Sequence, residues 1–201
     1  MMETVELTTA DGVTIEGDLA GSGTLGIVLA HGLKYIDGKD SFRDQLECLG
    51  ELGFTALSIS FRGYPAREIP PTVGGRDLDL LAAVAYLAER GCSKVFVLGS
   101  SMGGWVALAA VDRLVQMPAF GGLILLSAGD PGAADAIEHP KLFLVAEDDP
   151  RILERVRTMH DTAAKPKELK VFPSGGHGQA LFETRGDEVL AAIESFVTTW
   201  R

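Results

Sequence analysis

The chain has 201 residues, 46% hydrophobic and 23% charged, a composition that supports one folded domain with a substantial core and excludes a disordered or fibrous protein. Its formal charge of −10 comes without a dense Lys/Arg run, so no nucleic-acid partner is expected, because counterion release needs clustered cations. The longest apolar runs, such as Leu123–Leu126, are too short to span a bilayer.

Two further features bear on compartment. The opening Met-Met-Glu-Thr-Val-Glu-Leu has no basic region followed by an apolar core, so a secretory signal is not expected. Cys48 and Cys92 make neither a disulfide framework nor a zinc site, and a reduced, cytoplasmic protein without a membrane partner is the expectation. Glycine is in excess, at 24 residues, with no collagen-like period. Each glycine therefore answers a local backbone requirement.

In chain order, Val5–Thr8 and Val13–Glu16 alternate apolar and polar residues around Asp11-Gly12, which predicts an antiparallel hairpin. Ile27–Ala30 is a continuous apolar run of the kind buried on both faces. From there helix and strand patterns alternate. Phe42, Leu46, Leu49 and Leu52 form a helical stripe over 40–52, and Thr55–Ile59 follows as a strand. The same construction predicts helices at 80–90, 101–115, 150–163 and 179–199, and strands at 94–98, 122–126, 141–145 and 169–172. Two antiparallel strands followed by strand–helix units imply an α/β domain over 1–201. Its sheet is eight-stranded and mostly parallel, with helices on both faces. The Pro- and Gly-rich stretch 60–76 reads as a long loop at the carboxyl edge of that sheet, where α/β proteins bind ligands.

The strand Val95–Leu98 runs into Gly99-Ser100-Ser101-Met102-Gly103, and Gly104-Trp105-Val106-Ala107-Leu108 begins a helix. This is G-x-S-x-G in a strand–turn–helix setting, the arrangement that lifts a serine hydroxyl above a sheet. A solvated serine in a glycine-rich turn is the alternative, which the flanking apolar strand and helix disfavour. Ser101 is the candidate nucleophile, and a base and an orienting acid should follow it in the order Ser, Asp or Glu, His.

Leu142–Ala146 ends in Glu147-Asp148-Asp149-Pro150, offering three adjacent carboxylates at a strand exit. Asp149 is favoured because Pro150 can open a helix and fix its backbone. Asp130 is a weaker alternative. His177, in Ser174-Gly175-Gly176-His177-Gly178 after a strand, is the candidate base. His139 precedes Pro140 and His160 sits in a helical stretch, so both fit worse. His31-Gly32-Leu33-Lys34 follows the third strand. Its glycine allows the Leu33 amide to face the nucleophile, with the Met102 amide as a second oxyanion donor. His31 itself reads as a buried structural residue. Lys34 and Tyr35 are either pocket-lining or surface residues.

On these segments, with Phe61-Arg62-Gly63 between them, the chain resembles the α/β-hydrolase superfamily over nearly its whole length. It is nearest the small bacterial esterases and dienelactone-hydrolase-like members. The resemblance implies Ser101, Asp149 and His177 as a triad, Leu33 and Met102 as oxyanion donors, and no cofactor or metal. One departure is Ser60-Phe61-Arg62-Gly63-Tyr64-Pro65, where the family often carries Asp-x-Arg-Gly-x-Gly, which puts this loop's usual contacts in question. The other is the short segment 127–140, which leaves no room for a cap domain and assigns specificity to loops 33–40, 61–76 and 128–139. The expected function is hydrolysis of a small-molecule ester, thioester or lactone. The alternatives are acyl transfer or perhydrolysis on the same triad, or a ligand receptor using the same fold.

Overall fold

The computed structural model describes residues 2–35, 37–66, 74–130 and 132–201. Met2–Thr8 (β1) and Thr14–Ala20 (β2) pair antiparallel through the turn at Asp11-Gly12, with Leu7 opposite Ile15. The second strand runs four residues past the predicted Glu16. Gly17–Ala20 also ladder antiparallel onto Thr55–Ile59 (β4), so both edges of that stretch have hydrogen-bond partners.

The remaining strands are parallel to β4: Leu25–Ala30 (β3), Lys94–Ser100 (β5), Phe120–Leu126 (β6), Lys141–Ala146 (β7) and Lys167–Phe172 (β8). The order is β1-β2-β4-β3-β5-β6-β7-β8 in one eight-stranded sheet. The chain leaves β3 for β4 on one side and returns to β5 on the other. The ends of β3 and β5 therefore flank a topological switch point, where a crevice opens at the carboxyl edge.

Helices cover both faces because alternate strand residues are apolar on both. Arg43–Glu51 (α1) and Ala180–Thr199 (α6) pack Leu46, Leu49, Ile193 and Phe196 against Ile27, Leu29 and Phe96. Arg76–Glu89 (α2), Met102–Ala109 (α3) and Pro150–Thr162 (α5) cover the opposite face, with Leu80, Val84, Ala107 and Val156 against Val28, Val97 and Phe143. Each such fully buried Leu, Ile or Phe contributes about 1.5–3 kcal/mol.

Several boundaries differ from the sequence reading, two of them in helices that flank the strand exits. The helix predicted over 101–115 divides at Ala110, and Val111–Leu114 (α4) forms a separate turn. The helix predicted from residue 80 begins at Arg76, preceded by Gly75 in the left-handed conformation (φ 90°). Asp77 and Asp79 in its first turn suit the positive end of the helix dipole. Of the predicted loop 60–76, residues 67–73 lie outside the described residues.

The 60–65 departure has its own network. The Arg62 amide donates to Asp79 Oδ2 (2.8 Å) and its Nε to Asp79 Oδ1 (2.9 Å). Its two Nη groups reach both oxygens of Asp11, at 2.7 and 3.0 Å. Asp79 is fully buried. This bidentate pairing pins the β4 exit to both the first turn of α2 and the β1–β2 hairpin.

Between β6 and β7 the described residues form only turns, and no helical layer of the described residues stands over the strand ends. No helix among the described residues is long and apolar enough to cross a membrane.

Candidate active site

Four strand exits converge at the carboxyl edge. Ser101 follows β5 directly, and its φ of 48° is a left-handed value that a side-chain-bearing residue rarely adopts. The turn holds because the Ser101 amide donates to Leu126 O (2.9 Å) and its carbonyl accepts from Trp105 N–H (3.1 Å) in the first turn of α3. Gly103 is required by close approach, since a Cβ there would lie 2.2 Å from the Ala30 carbonyl oxygen.

His177 Nε2 lies 2.7 Å from Ser101 Oγ, and its Nδ1 lies 2.5 Å from Asp149 Oδ2. An ionised carboxylate only accepts, so Nδ1 carries the hydrogen and Nε2 is left to accept from the serine hydroxyl. The imidazole is 46% exposed and the Asp149 side chain 17%, leaving the ring accessible from the cavity while its acid is held inside.

The carboxylates that sequence left open are now distinguished by position. Asp149 precedes Pro150 at the head of α5 and makes no side-chain cap to that helix, which leaves its carboxylate to His177. Asp148 instead accepts from the amides of Gly175 (3.1 Å) and Gly176 (2.8 Å). Those two amide bonds lower its pKa below the usual carboxylate value. Glu147 points to solvent, and Asp130 pairs with Arg155 on the surface. His139 packs on Phe120 and His160 on the edge of Phe143, away from this constellation.

Gly178 completes the turn after His177. Its φ is 63°, and a Cβ would meet Ser100 Oγ at 2.8 Å, so only glycine lets the histidine loop come this close to β5.

The β3 exit lies alongside. Gly32 is close enough to β5 that a Cβ would sit 3.6 Å from Ser100 O. His31 is fully buried, with Nδ1 donating to Gly32 O (2.9 Å) and Nε2 accepting from Phe61 N–H (3.3 Å). Burial, with a smaller push from the Arg76 charge, lowers its pKa to about 4. It is a neutral, structural histidine, as its sequence context predicts.

Gln179 was not singled out by sequence. Its Oε1 accepts from Gly32 N–H (2.9 Å), and its Nε2 donates to the carbonyl and hydroxyl of Ser41 (3.2 and 3.0 Å). Tyr64 OH adds a bond to Leu33 O (2.9 Å). Two long-range side chains thus hold the peptide units on either side of the Leu33 amide. The only local cue was the position of Gln179, two residues after the candidate base.

A cavity of about 880 Å³ opens beside Ser101 and His177, walled by Leu33, Tyr35, Met102, Trp105, Val106 and Ala109, with Lys34, Arg76 and Asp77 among its polar residues. Lys34 and Tyr35 therefore line it. The loop predictions are partly corrected. Residues 33–35 contribute as expected, and of 61–76 the described contributors are Gly75 and Arg76. The segment 128–139 contributes none among the described residues, and α3 takes its place. The reason is geometric, because α3 starts at the nucleophile and its first two turns necessarily face the same space.

The sequence profile of the Alpha/beta hydrolase family matches residues 27–141, more than half of the chain. The chain belongs to this family. Among similar sequences is 2-hydroxy-6-oxononadienedioate/2-hydroxy-6-oxononatrienedioate hydrolase 1 of Dechloromonas aromatica (strain RCB). It is 28% identical over 199 residues, covering 90% of this chain and 65% of that protein. Acylamino-acid-releasing enzyme 2 of Oryza sativa subsp. japonica is 31% identical over 97 residues, 43% of this chain and 13% of that protein. The chain spans less than two thirds of the length of either.

Solved structures share the fold. An esterase from Pyrococcus furiosus superposes with a TM-score of 0.81 at 18% identity, over 100% of this chain and 93% of that one. A Xanthomonas campestris α/β serine hydrolase described as having no lid gives 0.76 at 18% identity, over 99% and 94%. The architecture is that of an alpha/beta hydrolase, with no cap among the described residues.

Proposed function

We propose that this alpha/beta hydrolase is a serine hydrolase that cleaves a small carboxylic ester, thioester or lactone through an acyl-enzyme on Ser101, His177 and Asp149. The observation that carries the reading is the continuous hydrogen-bonded chain from Ser101 Oγ through His177 to Asp149, at 2.7 and 2.5 Å. Both distances are within hydrogen-bond reach, and the order Ser, Asp, His along the chain is that of the family.

In the reaction, Oγ attacks the substrate carbonyl as Nε2 takes the hydroxyl proton. Asp149 keeps the ring in the productive tautomer and offsets the charge of the imidazolium. The tetrahedral oxyanion is received by the amides of Met102, at the head of α3, and Leu33. Each such donor is worth about 10²–10³ in rate. Nε2 returns the proton to the leaving oxygen or sulfur, and water then attacks the acyl-enzyme with His177 as base again.

Support also comes from the relatives, since the Dechloromonas aromatica protein is named as a hydrolase of a dioate and the rice protein as an enzyme that releases acylamino acids. A fluorophosphonate probe should label Ser101, and Ser101→Ala should lose both labelling and about 10⁴-fold or more of kcat on a panel of acyl esters. Wild type that neither reacts with the probe nor turns over any ester would overturn the reading. Hydrolysis is distinguished from acyl transfer and perhydrolysis by offering water, alcohol and peroxide as acceptors. We expect water to give the dominant product.

A further inference from the structure

Arg76, at the start of α2, lines the cavity beside Ser101 and is only 7% exposed. A guanidinium taken this far out of water ordinarily has a carboxylate against it. None faces it among the described residues. Nη1 lies 3.1 Å from the Met102 sulfur, a weak acceptor, and the group stands over the Tyr64 ring at 5.5 Å. Nε and Nη2 have no hydrogen-bond partner among the described residues. The neighbouring acids on the helix are already committed, Asp77 to Arg113 and Asp79 to Arg62.

The two unpartnered nitrogens lie on one edge of the guanidinium. That edge presents two parallel N–H groups, the fork that matches the two oxygens of a carboxylate. The cavity walls are apolar on most sides, which strengthens an ion pair formed inside. Lys34 adds a second positive charge to the lining, whereas the carboxylate of Asp77 is neutralised by Arg113. The net charge of −10 repels anions at long range, but a pair formed in the pocket is governed by its local partners.

We propose that Arg76 is a specificity-determining residue and that the preferred substrate is an acid: an ester, thioester or lactone whose acyl part carries a free carboxylate, received by the Nε–Nη2 edge. This deepens the serine-hydrolase reading and rests on it. Both nitrogens are shielded from solvent, so the fork meets the carboxylate by a turn of the arginine side chain toward the cavity it already lines. The pairing positions the far end of the acyl group and leaves the reacting carbonyl to Ser101.

The test compares mono-p-nitrophenyl glutarate with p-nitrophenyl pentanoate, which differ chiefly in the terminal carboxylate. Wild type should favour the acid by about tenfold or more in kcat/KM, through KM. Arg76→Met should collapse that ratio to near one, and Arg76→Lys should retain part of it. Equal use of the two esters by wild type, or an unchanged ratio in Arg76→Met, overturns the proposal. Because Arg76→Met removes an unpaired buried charge, its melting temperature should equal or exceed that of wild type. A large fall would make Arg76 a structural residue instead. Calorimetry on Ser101→Ala separates the two levels of inference. Glutarate should bind, inorganic phosphate should bind at least tenfold more weakly, and the double variant Ser101→Ala/Arg76→Met should lose glutarate. Glutarate binding with no turnover of any ester would sink the hydrolase reading alone, while turnover without Arg76-dependent glutarate binding would sink this proposal alone.

Discussion

Arg62 and Arg76 stand on either side of the β4–α2 connection, and the fold treats them in opposite ways. Arg62 is tied to both Asp79 and Asp11 and also to the hydroxyl of Thr9 (3.5 Å). Arg76, just as withdrawn from solvent, meets a thioether, an aromatic ring and, among the described residues, no acid. A saturated buried arginine fastens elements together. An unsaturated one in a cavity wall is a cost to the folded state that a ligand can relieve. The difference separates a region organised for stability, behind the β4 exit, from one organised for chemistry, at the β3 and β5 exits.

Three experiments can break or sharpen that contrast. The largest effect is expected on the saturated side. Asp79→Ala leaves Arg62 with the exposed Asp11 as its one carboxylate partner among the described residues and should cost about 3–5 kcal/mol in chemical denaturation. A loss within 0.5 kcal/mol, of the size seen at ordinary surface positions, would mean that the network does not fasten the fold.

Next comes His31, bonded to the Phe61 amide and sensing the Arg76 charge. Its folded pKa, about 4, is below the ordinary imidazole value of 6.5. The unfolded chain therefore takes up the proton first as pH falls. Stability attributable to the neutral ring is complete above pH 6.5 and declines by about 3 kcal/mol by pH 4. Thermal melts across that window should show the fall, and His31→Gln should flatten it. Asp148 acts lower down. Its depressed pKa means that its hold on the Gly175 and Gly176 amides survives through the ordinary carboxylate range and is lost only as pH drops through the lowered value.

The smallest effect concerns Gln179, which joins the β3 exit to the histidine loop. Gln179→Ala should lower kcat by about tenfold, equivalent to about 1.4 kcal/mol, with little change in KM. Gln179→Glu keeps an acceptor for Gly32 N–H and should recover part of the loss. A change confined to KM would place Gln179 in substrate binding rather than in positioning the loop.

Much of this was legible from the chain, and the reason is locality. The turn at Ser101, the glycines around His177 and the Pro150 helix start each depend on residues within a few positions of one another. The elbow demands glycine at 99 and 103 whatever the rest of the fold does. Alternation and apolar runs located all eight strands, although not their lengths, because β2 is extended by its pairing with β4 rather than by its own pattern. The split at Ala110 and the early start of α2 were also missed. Both depend on packing and on the left-handed Gly75, which no periodicity reveals.

Which residues meet across the sheet was a different matter. Among Glu147, Asp148, Asp149 and Asp130, sequence could rank but not choose. The parallel register that sets Ala146 opposite Phe172 brings the segment 147–149 and the histidine loop side by side, and within that juxtaposition it is Asp149 whose carboxylate lies 2.5 Å from His177 Nδ1. Gln179 with Gly32, Arg62 with Asp11, and the unpaired edge of Arg76 join positions far apart in the chain. Sequence by itself determined the order of elements and the kinds of group at each strand exit, because backbone sterics and burial act locally. Only the tertiary structure decided which of those groups share a few ångströms of space, because hydrogen bonds and ion pairs depend on distances set by strand order and twist.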